Sequence, residues 1–276
     1  QGFFGSYVKS LPRSRYAVRN VTGSLTPLHA LAAAAAAFLA GMINAIAGGG
    51  TLVSFPTLIW LGLGSVTANA TSTVAIWPGT LGGMFGYRQE LRKVKPRMLA
   101  LVIPSLVGGA AGAVLLRMTP TNMFDRLVPY LILFATLLFM AQTPVQARLQ
   151  SAKGHESPRW LAGAMAFQLC VGLYGGYFGA GIGILMLAAL SILGLTDIHE
   201  MNGLKNFLGG SVNGIASLYF VWKGMVYWPD VFVMAAAAIA GGFAGAHGAK
   251  RIGRTAVRRI VIGIGFGMAL SLFLKK

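Results

Sequence analysis

The sequence predicts an all-α polytopic membrane protein made of two inverted-topology repeats. Each repeat is expected to hold about four to five helical segments, including a broken or short helix pair. Three observations predict this. Of 276 residues, 55% are hydrophobic and only 11% charged, against roughly 25% charged in a soluble domain. Ten apolar segments follow one another, five on either side of a polar linker. Side-chain matches recur at a near-constant offset between the two sets, while loop charge alternates in the opposite sense. A β-barrel would show alternating strands of about ten residues, and none is visible.

The segments fall near 27–47, 51–63, 69–87, 98–116 and 127–141, then 160–178, 182–195, 203–222, 231–249 and 260–274. Residues 27–141 form the first expected repeat and 160–274 the second. Between them lies the linker QTPVQARLQSAKGHESPR, 142–159. Residues 1–26 are a basic N-terminal segment with Lys9, Arg13, Arg15 and Arg19 but no apolar core, so no cleavable signal peptide is expected.

An offset of 133 pairs Asn69 with Asn202, Pro96 with Pro229, Gly108-Gly109 with Gly241-Gly242, and Gly112 with Gly245. The glycine stretches pair at 131: Gly48 and Gly50 with Gly179 and Gly181. A two-residue insertion in the second half reconciles the offsets. RQELRKVKPR (88–97) carries five basic residues and KGMVYWPD (223–230) one, whereas RMTPTNMFDR (117–126) carries two and KRIGRTAVRR (250–259) five. Basic loops favour the cytoplasmic side, so corresponding loops face opposite sides, as in inverted repeats. Inversion needs an odd number of crossings per half and puts both termini outside. The basic N-terminus conflicts with that, unless it lies along the membrane surface or one segment does not cross fully.

Glycines interrupt each half at one place, GGGT (48–51) and GAGIG (179–183), each followed by a short segment and a polar run. Broken helices expose backbone N–H and C=O groups at membrane depth, where only protein or a wet cavity can satisfy them. Helix N-termini favour anions. Gly48, Gly49, Gly50, Gly179 and Gly181 are therefore expected to bring two helix ends together with donors facing a ligand. Gly108, Gly112, Gly241 and Gly245 read instead as close helix packing.

Of 23 basic residues, only Lys205 lies within an apolar segment, and all six acidic residues fall in loops or the linker. An intramembrane cation marks a functional site by default; the competing reading is a lysine that snorkels or pairs with Asp197 or Glu200. A lysine among amide and hydroxyl groups suits a small oxyanion. Asn202 and Lys205 can share a helix face, with Asn206 about 100° away. The first half offers Asn69, Thr71, Ser72 and Thr73, with Ser72 aligned to Lys205. Asn44, Tyr174 and Tyr177 precede the breaks and are further candidates to line a cavity; tyrosines also serve as interface anchors. His247 reads as structural, and the lone Cys170, in an apolar segment, can form no intrachain disulfide. No metal-ligand cluster, phosphate loop or nucleophile–base pair is seen, so no cofactor, no metal and no enzymatic activity are expected. The net charge of +17 belongs to loops facing membrane lipids rather than nucleic acid.

AGGGTLVSFP followed by GLGSVTANATS, and the second copy FGAGIGILML followed by NGLKNF, resemble the TauE/SafE sulfite exporter family over roughly residues 28–274. The second copy departs in one place, Leu187 standing where the first has Pro56. The resemblance implies a multi-pass transporter of a bacterial-type inner membrane, exporting sulfite or an organosulfonate. A negative interior would drive anion export without a coupling ion, at about 2.3 kcal/mol per charge per 100 mV. Two other readings stay open: a proton- or sodium-coupled carrier of a zwitterion such as taurine or an amino acid, and a non-transporting membrane assembly factor. The first would depend on an ion gradient; the second would tolerate loss of Lys205.

Overall fold

A computed structural model describes residues 26–46, 48–94, 96–150, 158–193, 195, 197–248 and 254–274. The N-terminal basic segment up to residue 25, most of the linker beyond Gln150, and the 249–253 part of the last basic loop lie outside the described residues. All regular structure among them is helical: α1 (Pro27–Ile46), α2 (Thr51–Trp60), α3 (Ser65–Gly86), α4 (Arg88–Leu91), α5 (Pro96–Leu99), α6 (Val102–Met118), α7 (Thr121–Gln150), α8 (Pro158–Tyr177), α9 (Ile182–Ile192), α10 (Ile198–Trp222), α11 (Trp228–Gly248) and α12 (Arg254–Leu274).

Every predicted apolar segment coincides with a helix, but the helices are not equivalent. Among the described residues, three are long and apolar enough to cross a bilayer: Pro27–Ala45, Thr121–Ala141 and Trp228–Gly245. The short second segment expected in each half is present in both. α2 has 10 residues and α9 has 11, about 15–17 Å of helix against a hydrocarbon core of about 30 Å. α3 and α10 are longer but carry polar residues, which the bundle buries. α7 also runs past its apolar end, Ala141, to Gln150, so the first nine residues of the expected linker continue a helix.

Packing is reciprocal between the halves. α1 lies along α11, and α8 lies along α6; α3 meets α11 as α10 meets α6; α12 touches α2 as α7 touches α9. Glycine fixes two of them, α1–α11 and α6–α8, at backbone contact. Gly241 and Gly245 seat against Phe38 and Met42 of α1, while Gly108 and Gly112 seat against Leu169 and Leu173 of α8. Phe38 and Leu169, and Met42 and Leu173, are each 131 apart, so one contact is built twice. A Cβ at Gly245 would fall 2.7 Å from the Met42 carbonyl oxygen, so the close approach depends on glycine there.

Within each of these pairs the helices run parallel. α3 and α10 run antiparallel: Gly203 faces Tyr87 and Leu91, Gly210 faces Thr80 and Met84, and Gly214 faces Trp77. The Trp77 indole N–H donates to the Gly210 carbonyl at 3.0 Å, joining two positions that are equivalent at the 133 offset. Aromatic contacts tie the breaks into the core, Phe55 and Phe178 meeting edge to face at 5.3 Å. Leu28, Leu31, Phe38, Ile103, Phe134 and Phe232 are exposed on the outside, the apolar exterior a bilayer requires.

Candidate functional site

The first break begins where α1 stops at Ile46. Gly48 adopts φ 74°, a left-handed conformation open to glycine at little cost. The Asn44 side-chain oxygen then accepts hydrogen bonds from the Gly49 and Gly50 N–H groups, at 3.0 and 2.8 Å. The N–H of the α2 N-cap and that of the residue before it are thereby satisfied within the protein. Gly49 seats against the Phe139 ring and Gly50 against the Ala40 carbonyl, so neither offers its N–H to a ligand. That corrects the expectation that both breaks present open donors.

The second break is built differently. Gly179, equivalent to Gly48, adopts φ 80°, and Gly181 is also left-handed at 79°, whereas its counterpart Gly50 is right-handed at −57°. Gly175 stands where Asn44 stands in the first half, so α9 receives no such side-chain cap. Tyr174, a candidate ligand from sequence, donates its hydroxyl to the Ala180 carbonyl at 2.8 Å and braces the loop instead.

The two breaks meet. A Cβ on Gly48 would lie 3.0 Å from the Gly183 Cα. Beside this junction α10 presents one face, formed by Lys205, Asn206, Gly209, Gly210 and Asn213, to a cavity of about 40 Å³. One water needs roughly 10–15 Å³ by this measure, so the space suits about three waters or one small ion. Asn44, Gly48, Gly179, Ile182 and Gly183 close it from the breaks, with Thr51, Thr80 and Met186 completing the wall. Lys205 is 3% exposed and Asn206 8%. Among the described residues, Lys205 is the lining's one formal charge.

Several sequence candidates lie elsewhere. Asn202 is buried but one turn N-terminal of the lining face. Asn69 donates to the Tyr177 carbonyl at 2.9 Å, and Thr73 donates to the Asn69 carbonyl at 2.8 Å. The Thr71 hydroxyl accepts from the Tyr227 N–H at 3.0 Å. Ser72, aligned with Lys205, is bonded to Ser54 at 2.6 Å. None of these four, nor Gly49, Gly50, Gly181 or Tyr174, lines the cavity. Conversely, Thr51, Thr80 and Asn213 do, and were not singled out. For Asn213 a signal existed, since positions 206, 209 and 213 repeat with helical spacing.

Asp230, expected from the sequence in a loop, is helical and buried. It sits in the first turn of α11, with its carboxylate 2.9 Å from His29 Nε2 of α1.

Two broken helices meeting at a buried cation inside an apolar bundle define a multi-pass membrane transporter. The chain belongs to the TauE/SafE sulfite exporter family, whose model matches residues 33–272. It is similar to a "Probable membrane transporter protein" of Haemophilus influenzae, 28% identical over 85% of this chain and 91% of that one. It is also similar to the "Probable membrane transporter protein YfcA" of Escherichia coli, 26% identical over 86% of both chains. A third relative, the "Probable membrane transporter protein ORF9" of a Sinorhizobium species, is 22% identical over 86% of this chain and 89% of its own length.

Proposed function

We propose that this protein exports a small sulfur oxyanion, sulfite or an organosulfonate, from the cytoplasm by alternating access between two inverted repeats, with no enzymatic step. The observation that carries the reading is Lys205, buried in the wall of the cavity where the two breaks meet. A buried ammonium supplies the charge an anion needs, and the low dielectric around it strengthens their attraction. The glycine breaks let the surrounding backbone bend without a side chain in the path.

Inversion of the halves draws support from two features. Their contacts are reciprocal, and the equivalent helices α3 and α10 run antiparallel. A two-fold axis relating antiparallel helices lies across them, and so in the membrane plane if they cross it. Each state of alternating access would then use one half as the other uses its counterpart. Because the anion carries its own charge outward, a negative interior drives it by about 2.3 kcal/mol per charge per 100 mV.

Sulfite efflux from proteoliposomes, with the potential set by potassium and valinomycin, tests this. Wild-type flux should follow the potential without a pH or sodium gradient. Lys205→Met should lower it roughly 10- to 100-fold, the worth of a charged hydrogen bond, while the protein stays folded. Flux that is absent at every potential but appears with an imposed ion gradient would replace export with coupled carriage. Normal flux in Lys205→Met would remove the lysine from the path.

A further inference from the structure

We infer that the anion site is one-sided: the oxyanion docks on the α9 end of the cavity, against the Asn206 amide and Lys205, while from the first break Asn44, Gly48 and Thr51 complete the wall. This inference rests on the anion-transport reading above. It explains features that a pseudo-symmetric site would not.

The Asn206 side chain is more than nine-tenths buried and lines the cavity, and among the described residues its amide nitrogen has no hydrogen-bond partner. A buried donor left unpaired costs the fold its desolvation energy, so such a group is expected where a ligand takes up the bond. An anion selects the NH2 end of the amide. The same cavity is walled by Gly179, Ile182 and Gly183 at the start of α9. That helix end carries partial positive charge and N–H groups without intrahelical partners. Gly175 gives it no cap of the kind Asn44 gives α2.

The first half has spent the corresponding groups. Thr73, equivalent to Asn206, donates to the Asn69 carbonyl at 2.8 Å. Ser72, equivalent to Lys205, pairs with Ser54 at 2.6 Å. Asn44 holds the Gly49 and Gly50 N–H groups that lead into α2 and is a positioning residue, not a ligand.

The test measures sulfite binding to detergent-solubilised protein, by the sulfite-dependent rise in its unfolding midpoint at constant ionic strength, and sulfite counterflow in proteoliposomes. Asn206→Leu and Asn206→Asp should each weaken sulfite about 10- to 100-fold, the value of one hydrogen bond to a charged group. Asn206→Leu should also leave the sulfite-free midpoint unchanged or raised, because it removes an unpaired buried donor; a purely structural residue would lower it. Thr73→Val should keep sulfite affinity within about twofold, since it alters only a helix back-bond. Equal losses in Thr73→Val and Asn206→Leu would overturn the one-sided site in favour of a pseudo-symmetric one. Unchanged affinity in both Asn206 variants would overturn it outright. Wild-type protein with no response to sulfite in either measurement would overturn the transport reading, and this site with it.

Discussion

The two glycine breaks began from one pattern and now differ in what they leave open. At the first, Asn44 accepts from two backbone N–H groups and Gly50 continues into α2 in right-handed geometry. At the second, glycine replaces the asparagine, a further left-handed residue appears at Gly181, and the loop is braced from its carbonyl side by Tyr174. One break is closed by its own side chain; the other leaves a helix end facing a cavity beside Lys205 and Asn206. Under the proposed one-sided site, one break has a structural role and the other a binding role. The glycine helix contacts, where Gly108 and Gly112 repeat Gly241 and Gly245, show how little the scaffold itself has diverged.

The strongest way to break the comparison lies at another asymmetry, the His29–Asp230 pair. In the first half Arg97 stands where Asp230 does, and in the second Trp160 stands where His29 does, so this pair has no twin. His29→Ala leaves a fully buried carboxylate without its partner. It should cost about 3 kcal/mol, read as a lowered unfolding midpoint in detergent. The double change His29→Ala with Asp230→Leu should recover most of that loss.

Next comes Gly48→Ala. Its left-handed φ of 74° costs an L-residue about 1–2 kcal/mol, and its Cβ would press on the Gly183 Cα at 3.0 Å. Sulfite flux should fall further than the midpoint does, because the added methyl wedges apart the junction that walls the cavity. An equal, small effect on both would argue that the junction is only packing.

A smaller effect is expected at Asn44. Asn44→Ala removes the α2 cap and should cost about 1 kcal/mol. Asn44→Asp keeps the accepting oxygen and should spare the midpoint, while its added negative charge at the cavity wall should still weaken sulfite. Loss of sulfite affinity in Asn44→Ala as deep as in Asn206→Leu would contradict the division between the two copies.

The smallest change is Ser72→Ala. It removes a buried hydrogen bond to Ser54, worth about 0.5–1.5 kcal/mol, and should leave sulfite flux as it was. A clear loss of flux would return the first-half polar run to the site.

Much of the fold was legible because the bilayer constrains sequence strongly. Apolar length, loop charge and repeated glycines each leave a mark that needs no partner to be read. Lys205 stood out for the same reason, as the one cation in an apolar segment. The first-half polar run from Asn69 to Thr73 was overread: buried hydroxyls in helices bond to the preceding turn or to a neighbouring helix, and nothing in the sequence distinguishes that from facing a ligand. Asp230 was missed for the converse reason. Beside Trp228 and Pro229 it resembles a loop residue, and only α1, 201 positions away, supplies the histidine that makes its burial tolerable.

The sequence by itself determined the class of protein, the likeness of the two halves, the positions of both breaks and the cation within an apolar segment. These follow from local composition, since apolar length, glycine and charge act on the chain where they stand. The tertiary structure alone decided which polar groups share a cavity. Asn206 and Asn213 join Lys205 there, Asn202 and Ser72 do not, and Asn44 turns inward to cap α2. That choice depends on how neighbouring helices rotate and which donors they satisfy first, a property of contacts between segments far apart in the chain.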